Sequence, residues 1–150
     1  MFDIIRCEAD PSKHGFSGFY QSDKAKGKIT RARDLKAAVN HRNRKTLVLL
    51  EDYGFDEGAV KLIAEKKKAC FLIDLGDLIR SRGVSRAILM SKLRTFLRLC
   101  NKHGAFYTFA TFAEKESHMR SPDEFMHIAM LMGINKGQAR FALKMLKHYL

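Results

Sequence analysis

Apolar positions along the chain follow two periods that alternate. Short β-rich runs at Phe2 to Ile5, Phe16 to Tyr20, Thr46 to Leu50, Ala69 to Leu75 and Ala105 to Thr111 predict strands. Four of the five lack polar alternation, the pattern of strands covered on both faces. Between the later runs the period lengthens to that of a helix. Val60, Ile63 and Ala64 share a face within Phe55 to Lys67, and Ile88, Leu89, Leu93, Phe96, Leu97 and Cys100 recur at three-and-four spacing within Ser85 to His103. Arg31 to His41 carries a weaker helical pattern. Strands and helices in alternation predict an α/β fold with a parallel sheet and crossover helices.

The last third carries the clearest local signals. Ser121 is placed as an N-cap, Pro122 stands at the first helical position, and Glu124 completes a capping box. Gly133 stops that helix. Asn135 to Gln138 starts another in the same way, with Ala139, Phe141, Ala142, Met145 and Leu146 as its apolar face. Two helices therefore follow the last strand. Tyr20 to Arg33 has Lys24, Lys26, Lys28, Arg31 and Arg33 among Gly27 and small polar residues, and it reads as an exposed basic loop. Both contact with nucleic acid and plain solvation remain open for it. Lys66, Lys67 and Lys68 end a helix before a strand, where cations suit the negative helix terminus.

Charge sharpens this picture. The 150 residues hold 28 Lys plus Arg against 16 Asp plus Glu, a formal net charge of +12. The surplus is concentrated: Ser85 to His103, with Arg86, Lys92, Arg94, Arg98 and Lys102, has no acid, and neither does Asn135 to Leu150, with Lys136, Arg140, Lys144 and Lys147. An ordinary soluble face mixes both signs, so these faces predict a polyanionic partner. With 46% hydrophobic residues the chain can build one core, and a single domain over 1–150 is expected. A closed eight-unit barrel takes roughly 200 residues or more and does not fit. No apolar run approaches the ~18 to 20 residues of a membrane helix, and the N-terminal residues lack a secretory pattern, so a cytoplasmic location is expected. Cys7, Cys70 and Cys100 are odd in number and far apart, which predicts free thiols.

Candidate chemistry is sparse. His14, His41, His103, His118, His127 and His148 form no metal-binding spacing, and no carboxylate pairing supplies one. Glycine-rich phosphate loops and a nucleophile elbow are also missing. No catalytic residue, metal ligand or protein-bound cofactor is expected. Asp74 and Asp77 sit at the end of the fourth predicted strand, where they suit capping of the next turn better than catalysis. The richest constellation is Thr111 to Asp123. A strand delivers Thr108 and Thr111 to its C-terminal edge, a loop supplies Lys115, His118 and Arg120, and a capped helix N-terminus follows. That arrangement suits a phosphodiester, unless Arg120 is spent on Asp123 or Glu124.

The same segment carries a family resemblance. Thr111-Phe112-Ala113, then Arg120-Ser121-Pro122-Asp123-Glu124-Phe125, a helix closing in Leu131-Met132-Gly133-Ile134, and Ala139-Arg140-Phe141-Ala142-Leu143 resemble the ending of ribonuclease P protein component 3. This is an archaeal family with a eukaryotic relative. Gly54-Phe55-Asp56 to Ala64 and Ala69 to Leu78 resemble it upstream, and Phe2 to Ile5 resembles its opening strand. Two departures are Phe112, which lacks the hydroxyl of the family's Ser, and Arg140, which stands for Lys. The resemblance implies a reduced or incomplete TIM-barrel-like (β/α) fold of about five strands and two C-terminal helices. Its missing units are expected between Leu50 and Gly54. The bare edges of such a sheet call for closure by a helix, a second copy or a partner.

The implied activity is that of an RNA-binding subunit of ribonuclease P, the enzyme that removes 5′ leaders from precursor tRNA. Its RNA carries the chemistry with Mg. Implied partners are the ribonuclease P RNA and the small ferredoxin-like component 2, with a possible homodimer. Expected RNA contacts are Arg120, Lys115, Arg140, Lys144, Lys136, His118 and Thr111. A stand-alone metal-dependent phosphoesterase of the related barrel superfamily and a general RNA chaperone are the alternatives.

Overall fold

The computed structural model describes residues 1–150. Six strands run in chain order: β1 (Phe2–Ile5), β2 (Gly18–Gln21), β3 (Ile29–Ala32), β4 (Leu47–Leu50), β5 (Cys70–Asp74) and β6 (Phe106–Ala110). The helices are α1 (Ser22–Ala25), α2 (Leu35–Ala38), α3 (Glu57–Lys66), α4 (Leu75–Arg80), α5 (Gly83–His103), α6 (Pro122–Leu131) and α7 (Lys136–Tyr149). Every ladder is parallel, in a two-stranded sheet β1-β2 and a four-stranded sheet β3-β4-β5-β6. The mixed α/β class read from the periodicity is the class observed.

The strand count of five is corrected to six. β3 lies inside the segment read as a basic loop, because only Ile29 and Ala32 of its four residues are apolar. Its structure comes from pairing with β4, in register from Ile29 on Leu47 to Ala32 on Leu50. The weak helix at Arg31 to His41 resolves into the end of β3, then α2 and a 3-10 turn over Val39–His41. Asp34 starts α2 by accepting from the Ala37 N–H at 2.8 Å. Asp74 caps α4 in the same manner, accepting from Asp77 N–H at 3.3 Å.

The expected gap between Leu50 and Gly54 is also corrected. β4 and β5 pair directly, with α3 as their crossover. The interruption lies instead between β2 and β3, which share no ladder. Only residues 22–28 join them, short of the dozen or so that a parallel crossover takes.

The two sheets meet along β1 and the end of β6. Phe112 N–H donates to the Ile4 carbonyl at 2.9 Å, and Arg6 N–H donates to the Ala113 carbonyl at 2.9 Å. Asp3, fully buried, clamps this seam by accepting from Thr111 Oγ1 at 2.6 Å, Thr111 N–H at 2.9 Å and Ile4 N–H at 2.8 Å. Burial pushes its carboxyl up to about 6 despite those donors. Two backbone features fit the seam. Phe112 is held at φ 47, a conformation that costs a non-glycine residue about 1–3 kcal/mol. A Cβ on Gly76 would lie 2.1 Å from the Thr111 carbonyl oxygen, so α4 reaches the end of β6 only with glycine there.

Side-chain alternation divides the core into two layers. Val48, Leu50, Phe71, Ile73, Tyr107 and Phe109 face Val60, Ile63, Phe96, Leu97 and Phe125 of the surrounding helices. The opposite parity, Leu47, Leu49, Cys70 and Leu72, joins Ile4, Ala110 and Phe112 against Met145, Leu146 and Tyr149 of α7. The inner face is therefore closed by the chain's own last helix.

Asp3 gives the fold a pH dependence of defined sign. Its folded pKa lies above the ordinary carboxyl value of 3.8, so its favourable contribution is present below about pH 4 and is lost as pH rises through about 6. Asp3→Asn is expected to remove a decline of about 2–3 kcal/mol between pH 4 and pH 7 relative to wild type. Urea unfolding across that range checks it, and parallel curves for the two proteins would contradict the assignment.

Candidate nucleic-acid interface

α7 forms because Asn135 and Gln138 make a reciprocal capping box and because its apolar residues share one face. Ala139, Ala142, Leu143, Met145, Leu146 and Tyr149 are buried. Lys136, Arg140, Lys144 and Lys147 are all exposed on the other side. At 100° per residue these four fall within an arc of roughly 80°, and they extend about 16 Å along the axis.

The helix crosses the N-terminal ends of the strands. Phe141 packs beside Phe106, the first residue of β6, with ring centroids 6.5 Å apart. Lys147 Nζ stands 5.6 Å above the ring of Phe2, the first residue of β1. From the segments that lead into β4 and β5, Lys45 Nζ lies 5.8 Å above the Tyr149 ring and Lys67 Nζ lies 5.4 Å above Phe106. Asn43, Lys45, Lys67, Lys68 and Tyr149 line a polar hollow of about 330 Å³ at the end of the helix. α7 and two strand-leading loops thus bring exposed cations to the same end of the strands.

Their charge is unneutralised. Of 28 Lys and Arg, five take part in ion pairs: Arg6, Lys26, Arg80, Lys92 and Lys102. None lies on this face. α5, which also lacks acids, is neutralised in part, with Arg86, Arg94 and Arg98 outside any ion pair. Asp52 pairs with its Lys92 at 2.8 Å, and Glu57 pairs with Lys102 at 2.6 Å and His103 at 2.8 Å. The Lys102 hydrogen bond, followed by that of His103, holds the Glu57 carboxyl below its usual range. The aromatic rings under Lys45, Lys67 and Lys147 place those ammonium groups without cancelling their charge, each contact contributing about 0.5–1 kcal/mol at an exposed site.

The seven expected RNA contacts divide between two ends of the molecule. Lys136, Arg140 and Lys144 belong to the basic face. Lys115, His118 and Arg120 follow the C-terminal end of β6, the opposite end of that strand from Phe106. Thr111 is corrected: it is fully buried, its hydroxyl donates to Asp3, and it has no surface to offer a ligand. Thr108 is also fully buried. Arg120 forms no ion pair with Asp123 or Glu124. Its Nη1 donates to the Ser117 carbonyl at 3.1 Å and the Met119 carbonyl at 2.7 Å. The α6 start is satisfied internally, with Ser121 Oγ accepting from Glu124 N–H and the Glu124 carboxylate accepting from Ser121 N–H.

Lys45, Lys67, Lys68 and Lys147 were not among the expected contacts. Lys147 continues the stripe of Arg140 and Lys144 and was legible at helical spacing. Lys67 and Lys68 carried only the signal of a helix end, and Lys67 is indeed the left-handed C-cap of α3, at φ 50. No group of three or more His, Cys, Asp or Glu side chains converges in a metal-binding arrangement. No helix is long and apolar enough to cross a membrane.

No protein-family model and no curated protein matches the chain. Among solved structures it superposes on a chain of the cryo-EM structure of archaeal ribonuclease P with mature tRNA, with a TM-score of 0.71. The match covers 93% of this chain and 85% of that one at 14% identity. The two share a fold nearly end to end.

The inner core depends on α7 staying seated. Leu146→Ala, at a fully buried position, is expected to lower stability by about 2–5 kcal/mol in urea unfolding. A loss well under 1 kcal/mol would contradict the placement of this helix as the inner cover.

Proposed function

We propose that this chain is an RNA-binding protein subunit of ribonuclease P, of the component 3 type, and that its α7 face holds RNA backbone. The observation that carries the reading is the fold shared with a chain of an archaeal ribonuclease P, over most of both lengths. The basic face locates the contact. Four unpaired cations along one helix, flanked by Lys45, Lys67 and Lys68, suit a row of phosphates. Side chains of this kind read A-form RNA by its phosphates, 2′-hydroxyls and shape, because its major groove is closed to them.

In this reading the protein supplies no catalytic group. It lowers the repulsion between RNA strands, and the RNA performs the Mg-dependent cleavage that frees the tRNA 5′ end. In the same reading the strand succession β3-β4-β5-β6-β1-β2 is taken as a reduced (β/α) barrel with its wall left open between β2 and β3, a reading supported by the parallel ladders and the backbone bonds between β1 and the end of β6. The ribonuclease P RNA is the proposed nucleic-acid partner. Component 2 and a second copy of this chain are the proposed protein partners.

Two measurements test the proposal. Purified protein is expected to stimulate cleavage of precursor tRNA by the ribonuclease P RNA at limiting Mg and to cleave nothing without that RNA. Activity of the protein alone would overturn it. Replacing Arg140 and Lys144 together by Ala is expected to weaken RNA binding and to flatten the slope of log affinity against log salt by roughly 1.4–1.8, the value for two lost phosphate contacts. Lys36→Ala, at an exposed position on α2, is the control expected to change neither.

A further inference from the structure

Phe141 is 57% exposed, although it stands on the helix that closes the inner face of the sheet. A single exposed apolar residue is ordinary, so the surroundings of this one decide its meaning. Its ring, with those of Phe106 and Tyr107, lines a hollow of about 380 Å³ between the end of α5 and the start of α7, and Lys67, Asn101 and Gln138 give that hollow a polar side. Phe141 and Lys67 converge on one ring. The Phe141 centroid lies 6.5 Å from that of Phe106, and Lys67 Nζ lies 5.4 Å above the Phe106 ring. Asn101 accepts from the Tyr107 hydroxyl at 3.0 Å and Gln138 accepts from Asn135 N–H at 2.9 Å, each through its amide oxygen, so both NH2 groups are free to donate.

We infer that this hollow takes the base of one unpaired RNA nucleotide, stacked on Phe141, while the flanking phosphates meet Lys67 and Lys144. The inference rests on the RNA reading of the α7 face and specifies what the flank of that face binds. Three features select a nucleotide. An exposed ring offers any base a stacking plane, since every base has a π-face. The two amide groups supply donors for carbonyl oxygens such as those of uracil. Cations stand beside the ring: Lys144 is the i+3 neighbour of Phe141 on α7, Lys67 lines the hollow itself, and neither forms an ion pair. Lys67 also lines the hollow of Lys45 and Lys68, so a strand that passes it continues onto further cations. An A-form duplex keeps its bases paired and stacked and would leave Phe141 unused. An apolar protein segment would leave Lys67 and Lys144 without a counter-charge.

The test measures the affinity of the full chain, Phe141→Leu and Phe141→Tyr for a short oligouridine and for an RNA duplex across a salt series. Phe141→Leu keeps an apolar contact with Phe106 but removes the stacking plane. It is expected to bind oligouridine about fivefold or more weaker, with its salt slope and its duplex affinity unchanged, because no charge is lost. Phe141→Tyr is expected to bind as wild type does. A 5-iodouridine in the strand is expected to photocrosslink the wild type at Phe141, Phe106 or Tyr107, a readout that decides the matter even if Phe141→Leu fails to fold. Three results would overturn the inference and leave the basic-face reading standing: full oligouridine affinity in Phe141→Leu, an equal loss on the duplex, or crosslinks confined to residues outside this hollow. A wild type that binds neither RNA would remove both.

Discussion

Parallel strands must be covered on both faces, and most of this molecule's architecture answers that requirement. The crossover helices cover one face only. The other bears Leu47, Leu49, Cys70 and Leu72, and it would meet water if nothing came after α6. α7 meets the need by laying Met145, Leu146 and Tyr149 against it across the strand starts. Once one side of a helix is committed in that way, the opposite side is committed to solvent. The basic stripe is thus held by the same contact that completes the core, which fixes its four cations on a rigid element.

The seam between the two sheets shows a different balance. A buried carboxylate is an expensive way to join strands, and hydrogen bonds from Thr111 and Ile4 only partly offset its desolvation. What Asp3 adds is position. Its three acceptor contacts, the close approach at Gly76 and the left-handed Phe112 together set where β6 ends and how the following segment leaves. That exit starts the path by which α6 and then α7 reach the strand ends. The break between β2 and β3 has no such device, and seven connecting residues cannot supply a crossover.

Features that depend on a few neighbouring residues were legible in the sequence. The capping boxes at Ser121 and Asn135, the stop at Gly133 and the buried face of α3 follow from local chemistry, and the structure has them; the apolar faces read for α5 and α7 pack into the core except at Ile88 and Phe141, which are exposed. Features set by tertiary context were not. β3 has too few apolar residues to announce itself and is ordered by β4. Thr111 stands in the part of the chain that resembles the family's hydroxyl step, yet a carboxylate 108 residues away takes its hydroxyl inward. Lys67 is both a helix end and part of the basic face, and spacing alone reveals only the first. Arg120 and the α7 stripe come from adjacent segments of sequence, but α6 lies between them and carries the chain to the other end of the strands.

The distribution of charge separates what folding requires from what it does not. In this topology the helices that follow β3, β4 and β5 start with Asp34, Asp56 and Asp74, and Lys36, Lys66 and Arg80 stand in their last turns. Helix dipoles favour that arrangement, so some polarity of charge is a by-product of stable helices. α7 does not obey this logic. Lys136 is its first residue, where a cation opposes the dipole and costs about a few tenths of a kcal/mol, and no acid occurs in its first turn. The cations of its neighbours at Lys45 and Lys67 rest on aromatic rings instead of pairing with carboxylates. A surface that accepts electrostatic cost on the helix completing its own core is not explained by the stability of the isolated fold, and the RNA proposed above as its partner would bring the opposite charge.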